Sequence, residues 1–207
     1  RPFLDREVAA LPFAVQLRVR LERLGPTYIK LGQILSLRED LLPKHVTDEL
    51  KGLLDQLPAV PLETILEIVE RDLGRPIAAM FAWVDETVLG SASIGQIHRA
   101  TTLEGDDVVL KVVKPGVRAT LERDARLLKE LGALLQLFIP RYQPRKLIEE
   151  FFRYTLREAD LRREADNAET FAANFKDLPD VTFPEIFREY SGRDVLCMSY
   201  VEGLRPD

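Results

Sequence analysis

Two stretches of this 207-residue sequence carry residue types whose spacing suits anion chemistry. The first is Gly90-Ser91-Ala92-Ser93-Ile94-Gly95-Gln96. Its small side chains let the backbone come close to a ligand, and successive N–H groups in such a loop can cradle phosphate oxygens. A flexible hairpin turn has the same composition, although seven residues are long beside the roughly two to five usual for a hairpin loop. The second is Lys111, inside the run Val108-Val109-Leu110-Lys111-Val112-Val113. An ammonium in the middle of a β-branched run must either snorkel to water or meet an anion. Strand alternation puts Lys111 on one face with Val109 and Val113, and Val108, Leu110 and Val112 on the other. The plainer alternative is an edge lysine that keeps the strand from pairing with a neighbouring molecule.

Taken together, a loop of small residues and a following apolar strand with a lysine match the hairpin by which protein kinases hold ATP. There the loop covers the triphosphate, the strand lysine neutralises α/β-phosphate oxygens, and a helix glutamate holds that lysine in place. The helical stretch from Arg145 offers several glutamates. Three motifs then narrow the match: Lys30-Leu31-Gly32-Gln33, Ala92-Ser93-Ile94-Gly95-Gln96-Ile97-His98, and Glu158-Ala159-Asp160 followed by Arg163-Glu164-Ala165. In this order, from about Leu24 to the end of the chain, they resemble the UbiB family of atypical kinases, proteins linked to ubiquinone and other isoprenoid-quinone metabolism.

The resemblance implies an α+β fold, a protein-kinase-like N-lobe. It would have a small antiparallel sheet, a long glutamate-bearing helix and an inserted helix, preceded by a family-specific helical extension and without the C-lobe. It implies that Gly90, Ser91, Ala92, Ser93, Ile94 and Gly95 cover the nucleotide phosphates, with Ala92 where an ordinary kinase has glycine. Position 90 departs from the family in being Gly and not Ala. Lys111 matches the phosphate-binding lysine and Glu164 its partner. Lys30 and Gln33 would share one face of a helix lying across the site, with Lys30 contacting Glu158 and Asp160. Such occlusion would disfavour protein substrates and favour small molecules, lipids or ATP hydrolysis. The segment Met198 to Gly203 resembles the hinge between kinase lobes, where backbone at Tyr200 and Val201 would read the adenine edge. The implied cofactor is ATP with Mg2+. The metal ligands and the acceptor-orienting aspartate would belong to the C-lobe, so neither a catalytic residue nor a metal ligand is expected within the chain, which alone is expected to be inactive. Implied partners are the nucleotide, quinone-pathway lipid intermediates or biosynthesis proteins, and a membrane surface. The alternative is a non-catalytic regulatory or interaction module.

The elements that must position these residues follow from pattern. Helices are expected over Val8 to Leu24 with a stop at Gly25-Pro26, Thr27 to Leu37, Pro43 to Leu57, and Pro61 to Leu73 with a stop at Gly74. Val84 to Val113 reads as β structure with a turn at Glu104-Gly105-Asp106-Asp107. Two long helices follow, Ala119 to Phe138 and Arg145 to Phe175, then strands Ile186 to Tyr190 and Val195 to Val201 around Ser191-Gly192-Arg193. On an unbroken helix Asp160 and Glu164 share a face while Glu158 lies about 120° round. The division expected is a helical extension over 1–75, the lobe over 76–203, and the start of the next lobe at 204–207. Among single residues, His98 is expected to pack or hydrogen-bond on its strand. Cys197 should be buried and inert, and Trp83 and the nearby phenylalanines should be core.

Composition excludes other classes. With 34 acidic and 29 basic residues the net charge is −5, a poor match to nucleic acid. One cysteine and two histidines rule out an internal disulfide and cysteine- or histidine-rich metal sites. This usage suits a reducing, cytoplasmic setting, to which the resemblance adds a peripheral place at the inner face of a bacterial membrane. No apolar run reaches the roughly 18 residues of a membrane span. The start at Arg1 and the stop at Asp207, just past a strand, lead us to expect a fragment. A weaker reading, a helical membrane-surface protein, rests on the amphipathic stretch Val8 to Leu24.

Overall fold

Prolines set where most of the N-terminal helices begin, because a residue without an N–H is harmless only at the start of a helix. The computed structural model describes residues 6–54, 58–178 and 180–203. In it α1 spans Arg6–Ala9, α2 Phe13–Leu24, α3 Pro26–Leu35, α4 Lys44–Leu50 and α5 Leu62–Leu73. Pro12, Pro43 and Pro61 stand at the N-caps of α2, α4 and α5, and Pro26 opens α3. The single helix expected over Val8 to Leu24 is therefore two, split at Pro12. The helix expected over Pro43 to Leu57 stops at Leu50 and passes into a 3-10 turn, Lys51–Leu54; its last three residues lie outside the described ones.

Backbone contacts group the chain into two units, Arg1–Pro58 with Gly116–Leu156, and Ala59–Pro115 with Arg157–Asp207. In the first, Ala14, Leu21, Ile29, Val46, Leu50 and Leu53 form the core. A Cβ on Gly32 would fall 2.3 Å from Leu53 Cδ1 and 2.9 Å from Leu21 Cδ1, so the bare glycine makes room for those two leucines. The helices α6 (Val117–Phe138) and α7 (Pro144–Glu158) follow the first three of the four sheet strands in sequence. Buried Thr27 of α3 donates to Asp124 Oδ2 of α6 at 2.6 Å.

The second unit holds a four-stranded antiparallel sheet in the order β1-β2-β3-β4: β1 Phe81–Ser91, β2 Gly95–Thr102, β3 Asp107–Val113 and β4 Val195–Ser199. Ile65, Ile68 and Val69 of α5 share one core with Leu110, Val112 and Cys197. Helix α5 thus belongs with the sheet, whereas a boundary at residue 75 would cut them apart. The helix expected over Arg145 to Phe175 breaks at Ala159-Asp160 into α7 and α8 (Leu161–Asn174). At the break the Leu161 N–H leaves the helical ladder and donates to the Arg193 carbonyl at 2.9 Å. The strand expected over Ile186 to Tyr190 is one bridge, Ile186 to Met198, and a 3-10 turn, Arg188–Tyr190. Phe81 is buried against Tyr190, but Trp83 is 49% exposed and is no core residue.

Candidate functional site

Strand β3 lies between β2 and β4, with Lys111 opposite Ile97 and Leu196, so Lys111 is not on an edge and does not protect one. Its Nζ donates to both carboxylate oxygens of Glu164, at 2.6 and 2.7 Å. An ammonium has three donors; two point at Glu164, and the pair stays partly exposed. Glu164 sits in the first turn of α8, where negative charge suits the helix dipole. Three anchors fix that helix: Leu161 and Ala165 are buried, the Leu161 amide reaches Arg193, and Arg188 binds Asp166 and Glu169. Arg188 holds the Glu169 carboxyl below the usual carboxylate range.

The loop of small residues is a hairpin connection. Gly90 and Ser91 end β1 opposite Ile97 and Gln96, so only Ala92-Ser93-Ile94 lies outside the strands, fewer than the seven read from composition. The Ala92 N–H closes the turn on the Gly95 carbonyl at 2.9 Å, and the Lys114 N–H holds the Ile94 carbonyl at 2.8 Å. A Cβ on Gly95 would meet the Val112 carbonyl oxygen at 3.2 Å and Lys111 Cε at 4.0 Å, so the loop returns beside the lysine. A Cβ on Gly90 would meet nothing within 4 Å, so the alanine expected from the family would fit there.

Other expected residues are placed differently from the helical-wheel picture. Glu158 ends α7 while Asp160 precedes α8, so the two sit on opposite sides of a helix break. Arg162 binds both Asp160 oxygens, at 2.9 and 2.7 Å, and holds that carboxyl below its ordinary range. Lys30 is half-buried on α3, and Gln33 Nε2 donates to the Leu53 carbonyl at 2.8 Å. The Tyr200 N–H donates to the Asp107 carbonyl at 2.9 Å, and its ring lies 4.2 Å from the Arg99 guanidinium, which also pairs with Asp107. Val201 is half-exposed. Sequence reasoning passed over Gln96, which is fully buried and hydrogen-bonded to Val60 and His98. The signal was there: Gln96, His98, Ala100 and Thr102 alternate as the buried positions of β2. His98 hydrogen-bonds on its strand as expected, and burial pushes the Cys197 thiol up to about 12. Among the described residues no group of three or more His, Cys, Asp and Glu could hold a metal ion.

The ABC1 atypical kinase-like domain family matches residues 52–207. The chain belongs to that family. Its curated relatives include the chloroplastic protein ACTIVITY OF BC1 COMPLEX KINASE 8 of Arabidopsis thaliana, 40% identical over 194 residues. They also include the probable protein kinase UbiB of Aeromonas hydrophila, 38% identical over 206 residues, and that of Marinobacter nauticus, 36% identical over 192. These alignments cover 91%, 98% and 91% of this chain but only 25%, 38% and 35% of the relatives. Among solved structures, the complex of Rv3197 and erythromycin from Mycobacterium tuberculosis matches with a TM-score of 0.62 at 27% identity, over 89% of this chain and 47% of that one. The ABC1 domain thus has the kinase-like α+β fold that the motifs implied, and the UbiB resemblance holds. No described helix is long and apolar enough to cross a membrane.

Proposed function

We propose that this ABC1 domain binds ATP as the nucleotide-holding part of an atypical kinase or ATPase serving ubiquinone or a related isoprenoid quinone. The observation that carries the reading is the Lys111–Glu164 pair, assembled on an interior strand with the Ala92–Ile94 turn returning beside it at Gly95. Lys111 would neutralise α/β-phosphate oxygens while residues Gly90 to Gly95 cover them with backbone N–H groups. Because the Tyr200 N–H is committed to Asp107, the adenine edge falls to the Tyr200 carbonyl and the Val201 amide. The Lys30 helix is assigned the occluding role, with Glu158 and Asp160 as partners for Lys30; Gln33 supports it by holding the Leu53 carbonyl. Occlusion favours a small or lipid acceptor, with quinone-pathway proteins and a membrane surface as further partners. Magnesium would be held between the nucleotide phosphates and one or two carboxylates. Its ligands and the acceptor-orienting aspartate are assigned to polypeptide that the relatives carry beyond the matched length.

The test is calorimetric titration of ATP, with and without magnesium, into the natural polypeptide that carries these residues. Lys111→Met should weaken binding about tenfold or more, the loss of one charge-assisted contact. Equal affinity in the variant and the parent would overturn the reading and leave a non-catalytic interaction module.

A further inference from the structure

The motif Ala92 to His98 ends in two residues that nucleotide binding leaves unused. Gln96 and His98 are 0% and 1% exposed. Gln96 Oε1 accepts the Val60 N–H at 2.8 Å and its Nε2 donates to the Val60 carbonyl at 2.9 Å. One side chain thus grips both polar groups of a single residue, as a paired β-strand would. Gln96 Nε2 also lies 2.8 Å from His98 Nε2, and His98 Nδ1 lies 2.8 Å from the Asp85 carbonyl. The hydrogens count out in one way. The two on Gln96 serve Val60 and His98, so the imidazole accepts at Nε2 and donates from Nδ1 to Asp85. Turning the amide over would set N–H against N–H at Val60, so the network has one arrangement.

Val60 lies on the segment that links the 3-10 turn Lys51–Leu54 to α5. Gln96 is also the next residue after Gly95, whose Cα sits beside Lys111.

We infer that Gln96, steadied by His98, is a positioning residue that couples the phosphate loop to the connecting segment at Val60. The inference rests on the nucleotide reading above. Gly95 opens β2 directly after the Ala92–Ile94 turn, so a turn that shifts to meet phosphates pulls on the start of the strand at Gly95 and Gln96. The shift must then either draw Val60 along or break the hydrogen bonds of a fully buried side chain. Nucleotide occupancy thereby reaches the connection through one side chain.

Residue-resolved amide hydrogen exchange on the natural polypeptide, with and without magnesium-ATP, tests this. ATP should slow exchange of the Val60 amide about fivefold or more in the parent. Gln96→Met should raise basal exchange there, remove the ATP effect and weaken ATP binding about fivefold. His98→Asn keeps the Gln96–Val60 pair but removes the imidazole that accepts from Gln96 Nε2, and should reduce the ATP effect without abolishing it. If ATP binds the parent and Val60 exchange does not change, the coupling is overturned while the nucleotide reading stands; this needs no variant to fold. If the parent binds no ATP, the nucleotide reading fails and the coupling falls with it.

Discussion

Gly192 has no room for a side chain. A Cβ there would lie 2.3 Å from Asp72 Oδ2, the oxygen that accepts the Asp194 and Val195 N–H groups at 2.7 and 3.0 Å. Asp72 of α5 therefore ties down the turn that starts β4, and the next carbonyl along, Arg193, takes the first amide of α8. Gly192→Ala should push the Asp72 carboxylate off both amides and cost about 1–3 kcal/mol, the penalty of buried donors left without a partner. Chemical denaturation would show the loss; a change under about 0.5 kcal/mol would mean that Asp72 finds another way to bind. None of this was legible in the sequence, where Gly192 reads as an ordinary turn glycine and nothing singles out Asp72. Cys197 shows the opposite case. An apolar strand around it announces burial, and burial, helped by the charges of Glu189 and Asp106, raises its thiol pKa further above neutrality, to about 12. Lys111 was legible only in part: a cation within a β-branched run must snorkel to water or meet an anion, and only the structure shows Glu164 supplying both oxygens.

Elements were legible where a single residue dictates a backbone state and illegible where tertiary bonds do. The onset of α3 at Pro26 and the end of α5 before Gly74, which is left-handed at φ 68°, are local matters. The break between α7 and α8 is not, because apolar spacing continues across it; the Arg193 carbonyl and the Arg162 pair of Asp160 decide it. That origin makes α8 sensitive to acid. Arg162 holds the Asp160 carboxyl low and Arg188 holds Glu169 low. A carboxyl whose folded value lies below its unfolded one stabilises fully above the unfolded value, and the contribution disappears as pH falls through the folded one. The ends of α8 should therefore keep their amide protection from neutral pH down to about 4.5 and lose it progressively below that. Exchange rates corrected for intrinsic pH dependence would show the transition; a midpoint near pH 6 would rule out carboxylates as its cause.

At the scale of the whole chain, the two units are discontinuous in sequence, since the helical unit is completed only when the chain returns through α6 and α7. Composition and periodicity cannot show this. They locate helices but not which helices share a core, and a cut at residue 75 followed the change from helical to β pattern. Helix α6 depends on residues about a hundred positions earlier: Thr27 donates to Asp124, which is buried, and Leu121 and Ala125 are buried on the same helix. Removing residues 1–58 should therefore damage α6 more than the sheet. The Asp124 carboxylate would lose its hydroxyl donor, with Arg123 3.5 Å away on the same helix. The sheet unit keeps its own core and the Lys111–Glu164 pair, all of whose residues lie after position 58. In a fragment of residues 59–207, amide exchange should become fast along α6 and stay slow in β2 and β3. Restoring residues 1–58 as a separate chain should return protection to α6, whereas the same addition carrying Thr27→Val should return less. If α6 in the fragment exchanged as slowly as in the full chain, the helix would be held by its own length and not by α3, and the grouping of α6 with the N-terminal helices would be wrong.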